Sequence, residues 1–340
     1  MTGTGLGNTE NGSSPCAGML RGLCLAVAAV LLAWPIATLA QAFPSRPVRI
    51  VVPYAPGAAA DAVARVIANG LSSQWGHPVL VENRPGGSTV IGTEIVTRAE
   101  PDGHTLLYSS DDTFTTNAHL FRKLPYDPLK DLIPVNLSTR VSMAIVVNAS
   151  VPADSLPALI ALARAKPGTL SYGSYGTGGN AHLAMETLKS MAKIDILHVP
   201  YKGVAPALAA VVAGEVQIAL SGYGTARGQI EAGRLRPLAV ASPERVVQLP
   251  NVPTTRELGY GEVDATVWWG IAAPAKTPAE TVNRIHEAVS RVPNNPETRK
   301  LIEARILVVV DLGPKDFAEQ IAREFRSRAE DVRRSGVIAD

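Results

Sequence analysis

A loop rich in glycine and hydroxyl side chains lies within residues 170–188, LSYGSYGTGGNAHLAMETL. Glycine has no Cβ, so a ligand can approach the backbone N–H groups of such a loop closely. The apolar spacing after the loop predicts a helix, whose first amides have no intrahelical acceptor and favour a negatively charged oxygen. The segment therefore predicts an anion-binding loop, with a carboxylate as the best candidate. The residues expected to contact the ligand are Ser174, Gly176, Thr177, Gly178, Gly179, Asn180 and His182.

The same loop allows two other interpretations. Residues 176–181 fit the dinucleotide fingerprint G-x-G-x-x-G/A, and Asp195 lies about twenty residues on, where a ribose-binding acid is expected. However, Asp195 opens the run IDILHVPY instead of ending a strand, and the strand before the loop is polar. A glycine-rich turn with a helix cap is the other alternative. From this loop alone, a dinucleotide-dependent enzyme and a purely structural turn both stay open.

A second loop of the same design follows the apolar run VRIVVP at residues 48–53. Small residues then lead into a helix predicted over residues 61–75. Asp61 suits a capping or dipole-partner role in the first turn of that helix, and a ligand contact is its alternative role. The predicted ligand-binding residues of this loop are Tyr54, Pro56, Gly57, Ala58, Ala59, Ala60 and Asp61. Three further candidates lie where predicted strands end, namely Ser110, Lys202 and Ser221.

Motifs for catalysis are missing from the sequence. There is no G-x-S-x-G elbow, no Walker lysine motif, and no H-x-x-x-H spacing among the six histidines. We therefore predict no catalytic residue, no metal site and no cofactor. The net charge is +2, without a basic stripe interleaved with aromatic residues, so nucleic acid is not an expected partner.

The first 42 residues have the pattern of a leader followed by a secretory signal peptide. Met19 is a better start than Met1, because Arg21 then supplies the positive region and residues 23–32 the apolar core. The A-x-A cleavage signal ends at Ala42, so we expect an exported mature chain that begins at residue 43. Both cysteines lie within the removed part, which leaves the mature chain without a disulfide.

The remaining chain alternates predicted strands and helices, which indicates an α/β fold with parallel sheets and right-handed crossovers. Roughly 300 residues suggest two domains. We predict one lobe from residues 43–144 with 268–340 and a second from residues 145–267, joined by two crossover strands. The loops described above would then face a cleft between the lobes.

Several motifs along the mature chain carry a family resemblance. VRIVVPYAPGAAADAVAR, PVLVENRPGGSTVIGTEIV, LPYDPLKDLIPV and WWGIAAPAKTPAE, together with the glycine-rich segment, resemble the Bug family of extracytoplasmic solute receptors. These are the binding proteins of tripartite tricarboxylate transporters. The resemblance implies a fold like that of type II periplasmic-binding proteins, in a monomer that captures a small carboxylated ligand and delivers it to membrane permease subunits. The loops at residues 54–61 and 174–182 would contact the ligand carboxylates.

The chain departs from the family pattern at two places. The family motif P-G-G-[TS]-[TS]-D reads PGAAAD at residues 56–61, which removes two hydroxyl donors. After the strand predicted at residues 216–220, where relatives commonly carry Asp-Asn, the chain has Ser221-Gly222. Loss of that acid weakens the case for an amino-acid ligand. A sensor that presents its closed form to a signalling partner would bind ligand in the same way and remains an alternative.

Overall fold

The computed structural model of the chain describes residues 1–5, 7, 43–303 and 307–337. The predicted signal peptide at residues 19–42 and both cysteines lie outside the described residues. All helices and strands given below belong to the unit that extends from Pro44 to Asp340.

Strands and helices alternate along most of this unit. The strands are β1 (Val48–Val52), β2 (Val79–Asn83), β3 (Thr105–Ser110), β4 (Leu132–Val141), β5 (Met143–Asn148), β6 (Ser171–Ser174), β7 (Leu197–Pro200), β8 (Ile218–Gly222), β9 (Leu235–Ala241), β10 (Val267–Pro274) and β11 (Val308–Leu312). The α-helices are α1 (Ala59–Trp75), α2 (Val90–Thr97), α3 (Asp111–Phe114), α4 (Asn117–Leu120), α5 (Leu156–Ala165), α6 (Asn180–Ala192), α7 (Val204–Ala213), α8 (Tyr223–Glu231), α9 (Ala279–Arg291), α10 (Pro296–Glu303) and α11 (Pro314–Ser335).

Local sequence signals account for where several of these helices begin and end. Helix α1 ends at Gly76, whose φ of 66° is the left-handed conformation that glycine adopts without a steric penalty. The prediction that Ser155 caps a helix is confirmed, because its hydroxyl accepts a hydrogen bond from the Ala158 amide at the start of α5. Strand β1 is apolar apart from Arg49 because both faces of its sheet are covered, which confirms the buried strand expected there.

The strands form two sheets, and each sheet with its helices makes one lobe. In lobe 1 the strand order is β11-β4-β10-β3-β1-β2, and in lobe 2 it is β7-β6-β8-β5-β9. The predicted α/β fold with two lobes and two crossover strands is confirmed. The exact lobe boundaries at residues 144 and 268 stay a prediction.

The prediction of parallel sheets is wrong for β5 and β10, which come from the other lobe, and for β11, which runs antiparallel to β4. Strands β1, β2 and β3 are parallel, as are β6, β7 and β8. Strand β10 runs antiparallel to β3 and β4, and β5 runs antiparallel to β8 and β9. Strand β5 begins two residues after β4 ends, so it enters its sheet from the side where its neighbours finish. Its direction is therefore opposite to theirs, and the same holds for the returning strand β10.

The C-terminal helix α11 contacts both lobes. Phe317 and Ile321 in its first half belong to the core of lobe 1, where Phe317 packs edge-on against Trp268 with ring centroids 5.2 Å apart. In its second half, the Asp331 carboxylate accepts a hydrogen bond of 3.2 Å from the Thr187 hydroxyl of α6 in lobe 2. The helix therefore connects the outer surfaces of the two lobes next to the crossover strands.

Candidate ligand-binding cleft

Two neighbouring cavities lie between the lobes, and Tyr54, Asp112 and Tyr175 line both of them. The glycine-loop cavity has a volume of about 460 Å³ and the apolar cavity one of about 310 Å³. Further residues of the glycine-loop cavity are Pro53, Ala55, Pro85, Gly86, Ser88, Thr89, Thr116, Asn117, Leu120, Gly176, Thr177, Gly178 and Gly179. Further residues of the apolar cavity are Ala59, Ser110, Val141, Met143, Val204, Gly222, Gly224, Thr225, Val267, Trp269 and Leu307.

The structure brings part of the predicted site to these cavities. The predicted site residues that line them are Tyr54, Ala59, Ser110, Gly176, Thr177, Gly178 and Gly179. The predicted site residues outside both linings are Pro56, Gly57, Ala58, Ala60, Asp61, Ser174, Asn180, His182, Lys202 and Ser221. Ligand contacts by any of these residues stay a prediction, and the hydrogen bonds described next indicate what several of them do instead.

Tyr54 connects the first loop to the end of strand β3. Its hydroxyl donates to Ser110 Oγ at 2.7 Å and accepts from the Ser110 amide at 3.0 Å. Burial raises the pKa of Tyr54 to about 12, so the phenol is neutral at physiological pH. These bonds fix the wall that separates the two cavities on the side of lobe 1.

Asp61 shapes the first loop from inside. It is 3% exposed and accepts hydrogen bonds from the Gly57 amide at 2.9 Å and from the Asn83 amide group at 2.9 Å. Burial would raise the pKa of Asp61, but these bonds and the neighbouring Arg65 hold it below the ordinary value. Asp61 therefore holds the loop that precedes α1 and lies in the first turn of this helix, where a negative charge suits the helix dipole. No side chain caps α1, so its first amides, at Ala59 and beyond, are available to an anion.

The glycine-rich loop uses two of its own amides internally. The Gly176 amide donates to Ser174 Oγ at 3.3 Å, and the Gly178 amide donates to His182 Nδ1 at 2.9 Å. Short-range side-chain acceptors occupy these two amides in this arrangement of the loop, and a ligand contact by either amide stays a prediction. Thr177, by contrast, has an exposed side chain on the glycine-loop cavity.

Two stacked histidines support this loop from behind. The rings of His182 and His198 are parallel to within 10°, with centroids 3.8 Å apart, and His198 Nε2 is 2.7 Å from Ser174 Oγ. Burial lowers the pKa of both rings. For His198 the neighbouring His182 adds to this effect, and its pKa is lowered to about 4. Both rings are therefore neutral at pH 7, which leaves His182 Nδ1 free to accept from the Gly178 amide.

Folding stability is expected to fall as the pH drops from about 6.5 towards 4. An unfolded histidine has a pKa of about 6.5, so within this range the unfolded chain binds protons that folded His198 does not. Urea unfolding between pH 7.5 and 4.5 measures the slope. His198→Gln should reduce that slope and His77→Gln, at a histidine outside the stacked pair, should not. An unchanged slope in His198→Gln would contradict this account.

Asn180 bonds to the opposite lobe. Its amide group donates to Asp111 Oδ2 at 2.7 Å, and both side chains are fully buried. Burial raises the pKa of Asp111 well above its ordinary value, and the neighbouring Asp112 raises it further. The Asn180 amide group therefore makes an interlobe hydrogen bond that joins the start of α6 to the start of α3, and its expected contact with a ligand carboxylate stays a prediction.

The cleft is also lined by residues that sequence reasoning did not assign to the site, among them Tyr175 and Trp269. Tyr175 lies inside the glycine-rich segment, and its hydroxyl accepts a hydrogen bond of 3.4 Å from the Ala181 amide. A Cβ on Gly179 would lie 2.8 Å from the Tyr175 ring, which explains why the loop needs a glycine there. Two sequence signals could have identified these residues, because Tyr175 lies within the glycine-rich segment and Trp269 lies within the WWG motif.

The geometry argues against the dinucleotide interpretation. The glycine-rich loop follows the carboxyl end of β6, and β6 is parallel to β7 with Ser171 opposite Leu197. Asp195 precedes β7, so it lies near the opposite edge of the sheet from the loop. A ribose-binding acid must lie at the same edge as the phosphate-binding turn.

In residues 1–5, 7, 43–303 and 307–337, no three His, Cys, Asp or Glu side chains are grouped to hold a metal ion.

Two α/β lobes around a cleft, with chain crossings beside it, define the class of the periplasmic-binding proteins. Residues 63–337 match the tripartite tricarboxylate transporter family receptor. The chain belongs to this family of periplasmic solute receptors, which includes the Bug proteins. The suspected resemblance is thereby confirmed.

Individual relatives agree with the family assignment. Protein BugT of Bordetella pertussis is 33% identical, over 87% of this chain and 91% of its own. Rpa4515 of R. palustris, solved with adipate, is 32% identical with a TM-score of 0.74 over 87% of this chain and 99% of its own. MatC from Rhodopseudomonas palustris, solved with bound malate, is 30% identical with a TM-score of 0.71 over 85% of this chain and all of its own.

Proposed function

We propose that this chain is a periplasmic receptor, and not an enzyme, that captures a small carboxylate between its lobes. It then delivers the ligand to the permease subunits of a tripartite tricarboxylate transporter. Export by the signal peptide predicted to end near Ala42 and a monomeric state belong to the same proposal. Among the described residues, no helix combines the length and the apolar character needed to cross a bilayer.

The cleft carries the proposal. It joins loops from both lobes around cavities of about 460 and 310 Å³, a size that suits a small ligand. Two relatives with the same fold were solved with adipate and malate, which are small dicarboxylates. Contacts from both lobes to one ligand favour the closed arrangement, because only that arrangement makes all of them at once.

The carboxylate fits best against the ends of the first loop and the glycine-rich loop. The uncapped first turn of α1 offers amides beside Ala59 at the apolar cavity, and Thr177 offers a hydroxyl from the other lobe at the glycine-loop cavity. A helix N-terminus favours negative charge. Lys202 has an exposed side chain outside both cavities, so in this proposal it plays a smaller part than those two.

A thermal-shift screen of the purified protein tests the function. We expect stabilisation by dicarboxylates such as adipate or malate, or by monocarboxylates, amounting to about 2.7 kcal/mol at a hundredfold excess over the dissociation constant. Amino acids, aromatic acids and NAD complete the panel. Stabilisation by NAD, with none from any carboxylate, would overturn the receptor proposal in favour of the enzyme.

A further inference from the structure

Asp112 is the acidic side chain that lines both cavities. Its Oδ1 atom is buried and has no hydrogen-bond partner among the described residues. A buried carboxylate oxygen without a donor costs free energy that a suitably placed donor would recover. The position of Asp112 at the junction of the cavities makes a bound ligand the natural source of that donor.

A cation, a hydroxyl group and a second carboxyl group all act on Asp112. Burial raises the pKa of Asp112, while the guanidinium of Arg328 and a hydrogen bond from Thr116 oppose that rise. The charge of Asp112 in turn raises the pKa of the Tyr54 and Tyr175 hydroxyls, and Asp111 adds to this effect on Tyr175. The Tyr54 hydroxyl already donates to Ser110, so it is not free to donate to Asp112. The Asp112 carboxyl group, which lines both cavities, is therefore the candidate acceptor for an O–H or N–H group of a bound ligand.

The apolar cavity indicates what the rest of the ligand looks like. Beyond Asp112 its wall includes Val141, Met143, Val267 and Trp269. These side chains favour contact with the carbon skeleton of a ligand. A ligand with its carboxylate in the glycine-loop cavity would thus place a polar substituent beside Asp112 and its carbon chain against Trp269.

We propose that Asp112 determines specificity by accepting a hydrogen bond from a hydroxyl or ammonium group on the bound carboxylate. The receptor would then select hydroxy- or amino-substituted carboxylates over the unsubstituted acid with the same carbon skeleton. The inference rests on the proposed receptor function and adds the ligand class to it. Asp112 would then accept from a ligand ammonium group in place of the acid that relatives commonly carry where this chain has Ser221. The two residues lie at the ends of different strands.

Calorimetric titration of matched acids tests the inference. The probes are succinate, malate and aspartate, and adipate, 3-hydroxyadipate and 2-aminoadipate. In the unaltered protein, the substituted member of at least one set should bind about tenfold or more tightly than the unsubstituted acid, as expected for a hydrogen bond to a charged group. Asp112→Leu should bring that ratio close to one, and it should fold because it replaces an unpaired carboxylate with an apolar side chain.

Two further variants sharpen the result. Asp112→Asn keeps an acceptor oxygen without the charge, so it should keep a preference for a hydroxyl and lose one for an ammonium group. Asp154→Asn, at an exposed aspartate outside both cavities, should change neither. The role of Asp112 would be overturned if Asp112→Leu left the affinity ratio of substituted to unsubstituted acid unchanged, or if the unaltered protein preferred the unsubstituted acids. The receptor function would stand in either case. Failure of every carboxylate to bind would overturn the receptor function itself.

Discussion

Replacing Arg328 with methionine is expected to lower the free energy of unfolding by about 3–5 kcal/mol. Arg328 is 6% exposed, and its guanidinium donates to Asp331 at 3.2 Å and to the Asp264 carbonyl at 3.5 Å. Burial alone would lower its pKa, but the carboxyl groups of Asp111, Glu324 and Asp331 raise it above the ordinary value. Removing the cation leaves these buried acids without a counter-charge.

Urea unfolding of the unliganded protein measures this loss. Arg333→Met is the matched control on the same helix, because Arg333 pairs with Glu330 and the two side chains are 78% and 60% exposed. Such a pair contributes about 0–1 kcal/mol, so the control should change stability little. Equal losses in both variants would show that Arg328 is not the central charge of this cluster.

Gly178→Ala is expected to weaken ligand binding by about tenfold or more. Gly178 has a φ of +82°, where an L side chain costs roughly 1–2 kcal/mol. An added Cβ would also lie 2.7 Å from Leu120 Cδ2, across the cleft on lobe 1. Both effects disfavour the arrangement in which the two lobes meet around the ligand, and each 1.4 kcal/mol corresponds to a factor of ten in affinity.

Titration with the best carboxylate from the screen measures this effect. Gly228→Ala in helix α8 is the control, since an added Cβ there meets no atom within 4 Å. Adding Leu120→Ala to Gly178→Ala removes the clash but not the backbone strain, so it should restore part of the affinity. If Gly178→Ala binds as tightly as the parent, the glycine-rich loop is a structural turn and the proposed site is wrong.

The sequence pattern of the glycine-rich loop predicted some features of the site and not others. Its glycines predicted a close approach to the backbone, and Gly176, Gly178 and Gly179 do line a cavity. The pattern did not show that His182 and Ser174 accept hydrogen bonds from two of the amides. Those bonds depend on the rotamers and burial of the histidines, which follow from the packing of α6 on β6 and β7.

Sequence by itself determined the elements and the family of this protein. Apolar periodicity, turn residues and helix caps act within a few residues, so β1, α1 and the Ser155 cap could be predicted locally. Only the tertiary structure decided the partners of the polar side chains. Asn180 and Asp111 are 69 residues apart in the chain and meet because two lobes come together. The same packing places Asp112 at the junction of the cavities, whereas its position after a predicted strand indicated only a loop where ligands are held.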